Sequence, residues 1–516
     1  MTPFKNEAIL DFSRDEHRKP LEAALRKVEA SFGTEYPVVV GDQTYKTTDK
    51  IKSINPCKPS EVIGVIHRAD KKLVEKALQT AQRAFETWSR TPAETRANVL
   101  FKAAAIMRQR RYEIDATMIL EVSKSWVEAD GDTAEAIDFL EYYGREMLRY
   151  AQGSPVVQNP GEKNQCVFIP LGVGVVISPW NFPCAILTGM ASAALVTGNC
   201  VLMKPASTAP VIAAKCFEIL REAGAPAGTI NYVPCSGGEV GDFLVDHPQT
   251  RFVSFTGSRE VGTRINERAA KVQRGQKWLK RVVAEMGGKD AIVVDETADL
   301  EAAATGIVQA AYGFQGQKCS ACSRAIVVDK VYGQVLDLAI KKTAALKIGD
   351  VRDPSTQVGA VVDESAYKKI LSYIKAGKKE GKIVVGGGPA KELGDGYFIQ
   401  PTIVADVKPG ASIEQEEIFG PVLAFIRAKD FDDALAIANG TDYGLTGAIF
   451  SKDPQRLDRA RREFHVGNLY INRKCTGALV GVHPFGGFNM SGTDSKAGGA
   501  EYLLLFMQAK SIAEKV

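Results

Sequence analysis

Between Lys163 and Lys204 the chain runs without a single charged side chain. Such a stretch has to leave water, either across a membrane or into a protein interior. A membrane-spanning helix needs about 20 uninterrupted apolar residues. Here Pro170, Pro179 and Pro183, with Asn181 and several glycines, interrupt the run. The stretch therefore reads as a buried strand over 173–178, a stiff loop and a buried helix. The remaining composition agrees with a large soluble core: hydrophobic residues make up 45% and charged residues 24%, the balance of an ordinary globular chain. With 516 residues, the length suits about three domains. The formal net charge of +4 is spread along the sequence, which leaves no basic footprint for nucleic acid or an anionic membrane. Cysteines are scattered and odd in number (9), and the charged N-terminus lacks an apolar signal core. Both point to a reducing, cytoplasmic setting rather than a disulfide framework.

The first 50 residues read as a polar arm with one helix near 20–30. Leu73, Val74, Ala77, Leu78, Ala81, Phe85 and Trp88 follow helical spacing. Thr91-Pro92-Ala93-Glu94 reads as an N-cap, a first-position proline and a capping-box acid. The helical pattern continues to about Tyr150, with an expected break near Asp130-Gly131. Beyond it, short apolar runs alternate with helical segments in βαβ rhythm, which predicts parallel sheets and α/β domains in sequence.

Several local motifs could carry chemistry. Pro179-Trp180-Asn181-Phe182-Pro183 follows a predicted strand, where open α/β sheets bind ligands, and the Asn181 amide could donate to an oxyanion. It also fits a rigid turn. Phe255-Thr256-Gly257-Ser258 enters a helix whose N-terminus suits a pyrophosphate, or simply an N-cap. Glu285-Met286-Gly287-Gly288-Lys289 places a carboxylate beside glycines, as an ordinary surface turn also would. Gly316-Gln317-Lys318-Cys319-Ser320-Ala321-Cys322 sets a cysteine beside a lysine. A nearby helix N-terminus would lower its pKa and make it a nucleophile. The C-x-x-C spacing also allows a redox pair. No second Cys or His pair has zinc-ligand spacing, so no metal is expected.

Together and in this order, with Lys204-Pro205-Ala206, Glu417-Ile418-Phe419-Gly420-Pro421 and Pro484-Phe485-Gly486-Gly487, these motifs resemble the aldehyde dehydrogenase superfamily over nearly the whole chain. The resemblance implies an α/β architecture: a Rossmann-type NAD-binding domain (51–150 and 166–286), an α/β catalytic domain (287–490) and a small oligomerisation flap (151–165 and 499–516), after the arm at 1–50. It implies a homo-oligomer built on a dimer. It further implies NAD held by Ile177, Ser178, Pro179, Trp180, Lys204, Ser207, Gly237, Gly241, Ser258, Val261, Glu417 and Phe419. Within that set, Lys204 would meet the adenine ribose, Ser258 the pyrophosphate and Glu417 the nicotinamide ribose. Ser207 lacks the charge that would repel a 2′-phosphate, so NADP is expected to be tolerated as a weaker cofactor. Cys319 would be the nucleophile, Asn181 the oxyanion donor and Glu285 the base.

The segment 472–481 resembles the anchor loop of family members that oxidise glutamate γ-semialdehyde. On that resemblance Lys318, Ser320, Gly477 and Ala478 would hold an α-carboxylate and α-amine, Phe182 and Phe485 would flank the aliphatic chain, and Glu135 would meet the substrate. A competing expectation keeps the chemistry and changes the aldehyde, for example to succinate semialdehyde, which lacks the amine. A non-catalytic relative is disfavoured because Cys319, Glu285 and Asn181 are all present.

Overall fold

In the structure, a computed structural model describing residues 3–516, the charge-free run becomes the strand Val173–Ile177, a loop and the buried helix Ala185–Val196. That strand lies inside a seven-stranded sheet. Its order is Arg281–Glu285, Phe252–Thr256, Val173–Ile177, Cys200–Lys204, Ile230–Tyr232, Val38–Val40, Gln43–Tyr45. The five strands from Arg281–Glu285 to Ile230–Tyr232 run parallel. Every strand residue of Val173–Ile177 and Cys200–Lys204 is buried, as expected for a parallel sheet covered on both faces. From Val173–Ile177 the chain progresses outward in one direction, then returns to add Phe252–Thr256 on the other side. This reversal opens a crevice at the carboxyl ends of those two strands, the usual ligand position in an open α/β sheet. The Pro179–Pro183 loop and the Gly257-Ser258 turn both leave from these ends.

A second seven-stranded sheet follows the order Lys382–Val385, Thr402–Val407, Val422–Ala428, Cys322–Val328, Asp290–Val294, Thr446–Phe450, Asn468–Ile471. All its neighbours pair in parallel except Lys382–Val385. Each sheet has its own apolar cluster. Glu162–Pro170 and Met507–Lys515 form a separate antiparallel ribbon, in which residues 508–515 are exposed. Among the described residues no helix is long and apolar enough to cross a membrane.

Local expectations differ from the structure in three places. The expected polar arm holds the helix Asp15–Glu29, with Pro20 inside it, and short strands. Two of these, Val38–Val40 and Gln43–Tyr45, extend the first sheet. Their Val-rich hairpin is too short to announce itself by alternation. Thr91 is not the N-cap of the following helix: Ala93–Gln109 is preceded by Pro92, without a side-chain cap, and the Thr91 hydroxyl donates to the Thr87 carbonyl. The helix Trp126–Tyr150 passes unbroken through Asp130-Gly131. The break falls instead at Ser123, in the left-handed region with φ 57°. Asp130 is held inside the fold by Arg111, whose Nε and Nη2 donate to its carboxylate at 2.6 and 2.9 Å.

Candidate active site

The two sheets bring Cys319 and Glu285 to one place from different directions. Glu285 ends the strand Arg281–Glu285, in register with Thr256. Cys319 lies in the turn that leads into Cys322–Val328, so a strand follows it, not the helix N-terminus expected from the sequence. The segment before it is held rigidly. Phe314 and Gln315 both adopt left-handed φ (49° and 57°), a strained conformation for side chains of this size. Gln315 Nε2 donates to the carbonyls of Ser123 and Ala360 at 2.8 and 2.9 Å, and Gln317 Oε1 accepts from Val362 N–H at 2.9 Å. These bonds over-determine the turn and hold the Cys319 backbone in place.

Asn181 is buried, and its amide donates to the Gln317 carbonyl at 3.1 Å. The Pro179–Pro183 loop is thereby tied to the cysteine loop. An unbroken aromatic series borders this junction: Phe182 and Phe314 centroids are 6.5 Å apart, Phe314 and Trp180 6.4 Å, and Trp180 and Phe419 5.5 Å.

Glu285 is buried, with Oε1 accepting from the Ser495 hydroxyl and Oε2 without a protein partner. Burial pushes its pKa up to about 8, partly offset by Ser495 and Lys496. Cys319 is half-buried, and burial pushes its thiol well up, reinforced by Asp290, Glu417, Glu285 and Glu135. Lys318 does not counter this, because its ammonium pairs with Glu128 at 2.6 Å. The lowered thiol pKa expected from the sequence is therefore absent in the free protein. Cys319 and Cys322 are both free thiols, and Cys322 is buried with its Sγ directed to the Arg324 carbonyl at 3.5 Å.

The glycines of Glu285-Met286-Gly287-Gly288 have steric reasons. A Cβ on Gly287 would strike the Glu417 carboxylate, and one on Gly288 would lie 2.8 Å from the Cys319 carbonyl oxygen. Glu417 Oε1 accepts from Gly288 N–H at 3.1 Å. Gly287 therefore makes room for the Glu417 carboxylate, and Gly288 for the Cys319 carbonyl.

Around the first crevice, Ser258 caps Arg259–Ala270 by accepting from Val261 N–H at 3.3 Å, while Val261 itself is exposed. Lys204 is buried and ends its strand with no carboxylate among the groups that shift its pKa; burial lowers it. A Cβ on Gly241 would sit 3.8 Å from Lys204 Cε, and Gly237 has open space around it. Ile177 and Ser178 are buried at the strand end, Pro179 is half-buried, and Ser207 is exposed beyond Lys204. A buried cation without an acid, a capped helix start, the Glu417 carboxylate and the Trp180–Phe419 aromatic pair match the hydroxyls, phosphates and ring of a dinucleotide.

On the opposite side, burial and Asp132 push the Glu135 pKa up to about 8. Ser320 is buried, and its carbonyl accepts from Cys475 Sγ at 3.4 Å. The loop at 472–481 is braced by Arg473, whose Nη2 donates to the carbonyls of Thr476 and Gly477 at 2.9 and 3.0 Å. Among the described residues the N–H groups of Gly477 and Ala478 donate to no protein acceptor. Phe485 is half-buried and held by a backbone bridge to Ala497.

Sequence reasoning missed Ser495, which grips Glu285, and the charged group Lys124, Glu128 and Asp132. A signal was present for the last: Glu128, Asp132 and Glu135 recur at i, i+4, i+7 on one helical face.

A family model described as "Aldehyde dehydrogenase family" matches residues 44–512, and the chain belongs to that family. A Geobacillus sp. (strain WCH70) protein named 1-pyrroline-5-carboxylate dehydrogenase is 61% identical over 512 residues, covering 99% of both chains. A Geobacillus thermodenitrificans protein of the same name is 60% identical with the same coverage. A crystal structure of 1-pyrroline-5-carboxylate dehydrogenase from Thermus with bound NAD superposes with a TM-score of 0.98 at 51% identity, covering 100% of both chains.

Proposed function

We propose that this protein oxidises L-glutamate γ-semialdehyde, in equilibrium with 1-pyrroline-5-carboxylate, to L-glutamate with NAD, the second step of proline degradation. The observation that carries the reading is the Asn181–Gln317 hydrogen bond, because it sets an amide donor beside the Cys319 turn while Glu285 offers an unpartnered carboxylate oxygen. The names of the similar proteins support the choice of substrate.

Cys319 Sγ attacks the aldehyde carbon as the thiolate, its proton passing to solvent water. The Asn181 amide and the Cys319 N–H stabilise the oxyanion, each such donor being worth about 3–4 kcal/mol. Ile177, Ser178, Trp180, Lys204, Ser258, Glu417 and Phe419 would hold NAD, which would supply the acceptor for the hydride lost as the Cys319 adduct becomes a thioester. Glu285 then takes a proton from water, which attacks the thioester carbon. The thiolate of Cys319 leaves and glutamate is released. Glu135 pairs with the α-amine, Ser320 and the N–H groups of Gly477 and Ala478 receive the α-carboxylate, and Phe182 and Phe485 flank the chain. Lys318 contributes through its pair with Glu128.

The strand Met507–Lys515, exposed over residues 508–515 and with its outer edge unpaired, supports a homodimer through the ribbon, since free sheet edges invite strand pairing. The free cysteines support a cytoplasmic setting. The function is tested by comparing NADH formation from glutamate semialdehyde and succinate semialdehyde. A clear preference for the amino-substituted aldehyde is expected; a preference for succinate semialdehyde overturns the substrate assignment.

A further inference from the structure

Lys124 is 0% exposed and its ammonium has no hydrogen-bond acceptor. It lies 3.4 Å from Asp132 Oδ2, which is equally buried. It also sits over the ring of Phe182 at 4.0 Å and that of Phe314 at 4.2 Å. Burying a charge this completely is costly, and an apolar side chain of the same length would fill the space more cheaply. What the cation adds is directional attraction to aromatic faces.

The partners of Lys124 come from separate segments. Phe182 is the neighbour of Asn181 in the proline-bounded loop. Phe314 opens the strained turn that leads to Cys319. Asp132 belongs to Trp126–Tyr150, and its other oxygen accepts from Ala185 N–H at 2.6 Å, fixing the start of the helix that follows the Asn181 loop. The ammonium thus touches both reactive loops, through Phe182 on one and Phe314 on the other.

We propose that Lys124 is a positioning residue: held between the faces of Phe182 and Phe314 and anchored by Asp132, its ammonium locks the Asn181 loop against the Cys319 loop. The inference rests on the oxyanion role given to Asn181 above. Phe182 is only half-buried, and the Lys318 ammonium also lies over its ring at 5.9 Å, so the ring that Lys124 contacts still reaches the site.

The test uses the full-length enzyme with NAD and two aldehydes, glutamate semialdehyde and propanal. Lys124→Met alone leaves Asp132 buried and unpaired, so the main variant is Lys124→Met/Asp132→Asn. This neutral pair keeps an oxygen for Ala185 N–H, and such neutral replacements are commonly tolerated. It is expected to fold, to bind NAD as the parent does, and to lower kcat for both aldehydes by about 10- to 100-fold, the size of effect a roughly 1 Å misplacement produces. In an Asn181→Ala background the same pair of substitutions should cost less than about twofold, because residues that act through one another are not additive. Unchanged kcat in the pair variant, or a full additional loss in the Asn181→Ala background, overturns the positioning role alone. A normal kcat for Asn181→Ala overturns the oxyanion assignment and the positioning role with it.

Discussion

The side-chain amide of Asn181 and the carbonyl of Gln317 meet at 3.1 Å, joining a loop of the first sheet to the cysteine turn of the second. This contact uses one of the two N–H donors of the Asn181 amide and leaves the second for an oxyanion on the Cys319 adduct. The amide is therefore already aimed, and donating to the oxyanion needs little reorganisation.

Asn181→Ala should lower kcat by about 10²- to 10³-fold, the loss expected for one oxyanion donor. NAD affinity, measured by fluorescence titration, should stay near that of the parent. A fall in NAD affinity with kcat preserved would place Asn181 in the cofactor site instead.

Glu285 acts as a base only when deprotonated, and burial raises its pKa to about 8. With thioester hydrolysis limiting turnover, kcat should therefore rise with pH and level off above about 8. The Ser495 hydroxyl bonds to the carboxylate and lowers that pKa. Ser495→Ala removes this preference for the charged form, so its inflection should move to higher pH. A shift to lower pH would contradict the contact.

Ser207→Glu should bring a carboxylate near the adenine ribose. NADP carries about two extra negative charges on its 2′-phosphate, so its KM should rise far more than that of NAD. Equal weakening of both cofactors would place Ser207 away from the ribose.

Ser320→Ala should lower kcat/KM for glutamate semialdehyde by about 10- to 150-fold, the equivalent of about 1.5–3 kcal/mol for one hydrogen bond to a charged group. Propanal has no carboxylate, so its rate should hardly change. A parallel decline of both substrates would make Ser320 a support of Cys319 instead of a contact of the carboxylate.

The strands most legible in the sequence are those buried on both faces. Val173–Ile177 and Cys200–Lys204 are continuous apolar runs bounded by glycine and proline, and the structure reproduces them within a residue. The short hairpin Val38–Val40 with Gln43–Tyr45 was not legible, because its sheet membership depends on a single register contact, Val39 with Tyr232, far along the chain. Asp130-Gly131 looked like a helix break because local propensity is all a sequence displays. Arg111, folded back from the preceding helix, cancels the cost of burying Asp130 there. Within the site, Cys319, Asn181 and Glu285 were visible as motif residues. The electrostatics were not: the carboxylates around Cys319 lie 29 to 184 positions from it along the chain, and the capture of Lys318 by Glu128 spans 190.

In the proposed mechanism glutamate semialdehyde is oxidised while bound covalently to Cys319 and freed by Glu285. The most direct measurement is mass spectrometry of Glu285→Gln after mixing with glutamate semialdehyde and NAD. The variant should retain acyl transfer to the thiol but lose roughly 10²- to 10⁴-fold in thioester hydrolysis. A glutamyl adduct should then accumulate on the peptide containing Cys319, with about one NADH formed per site. An adduct on Cys322 instead, or steady turnover at the parent rate with no adduct, would contradict this mechanism.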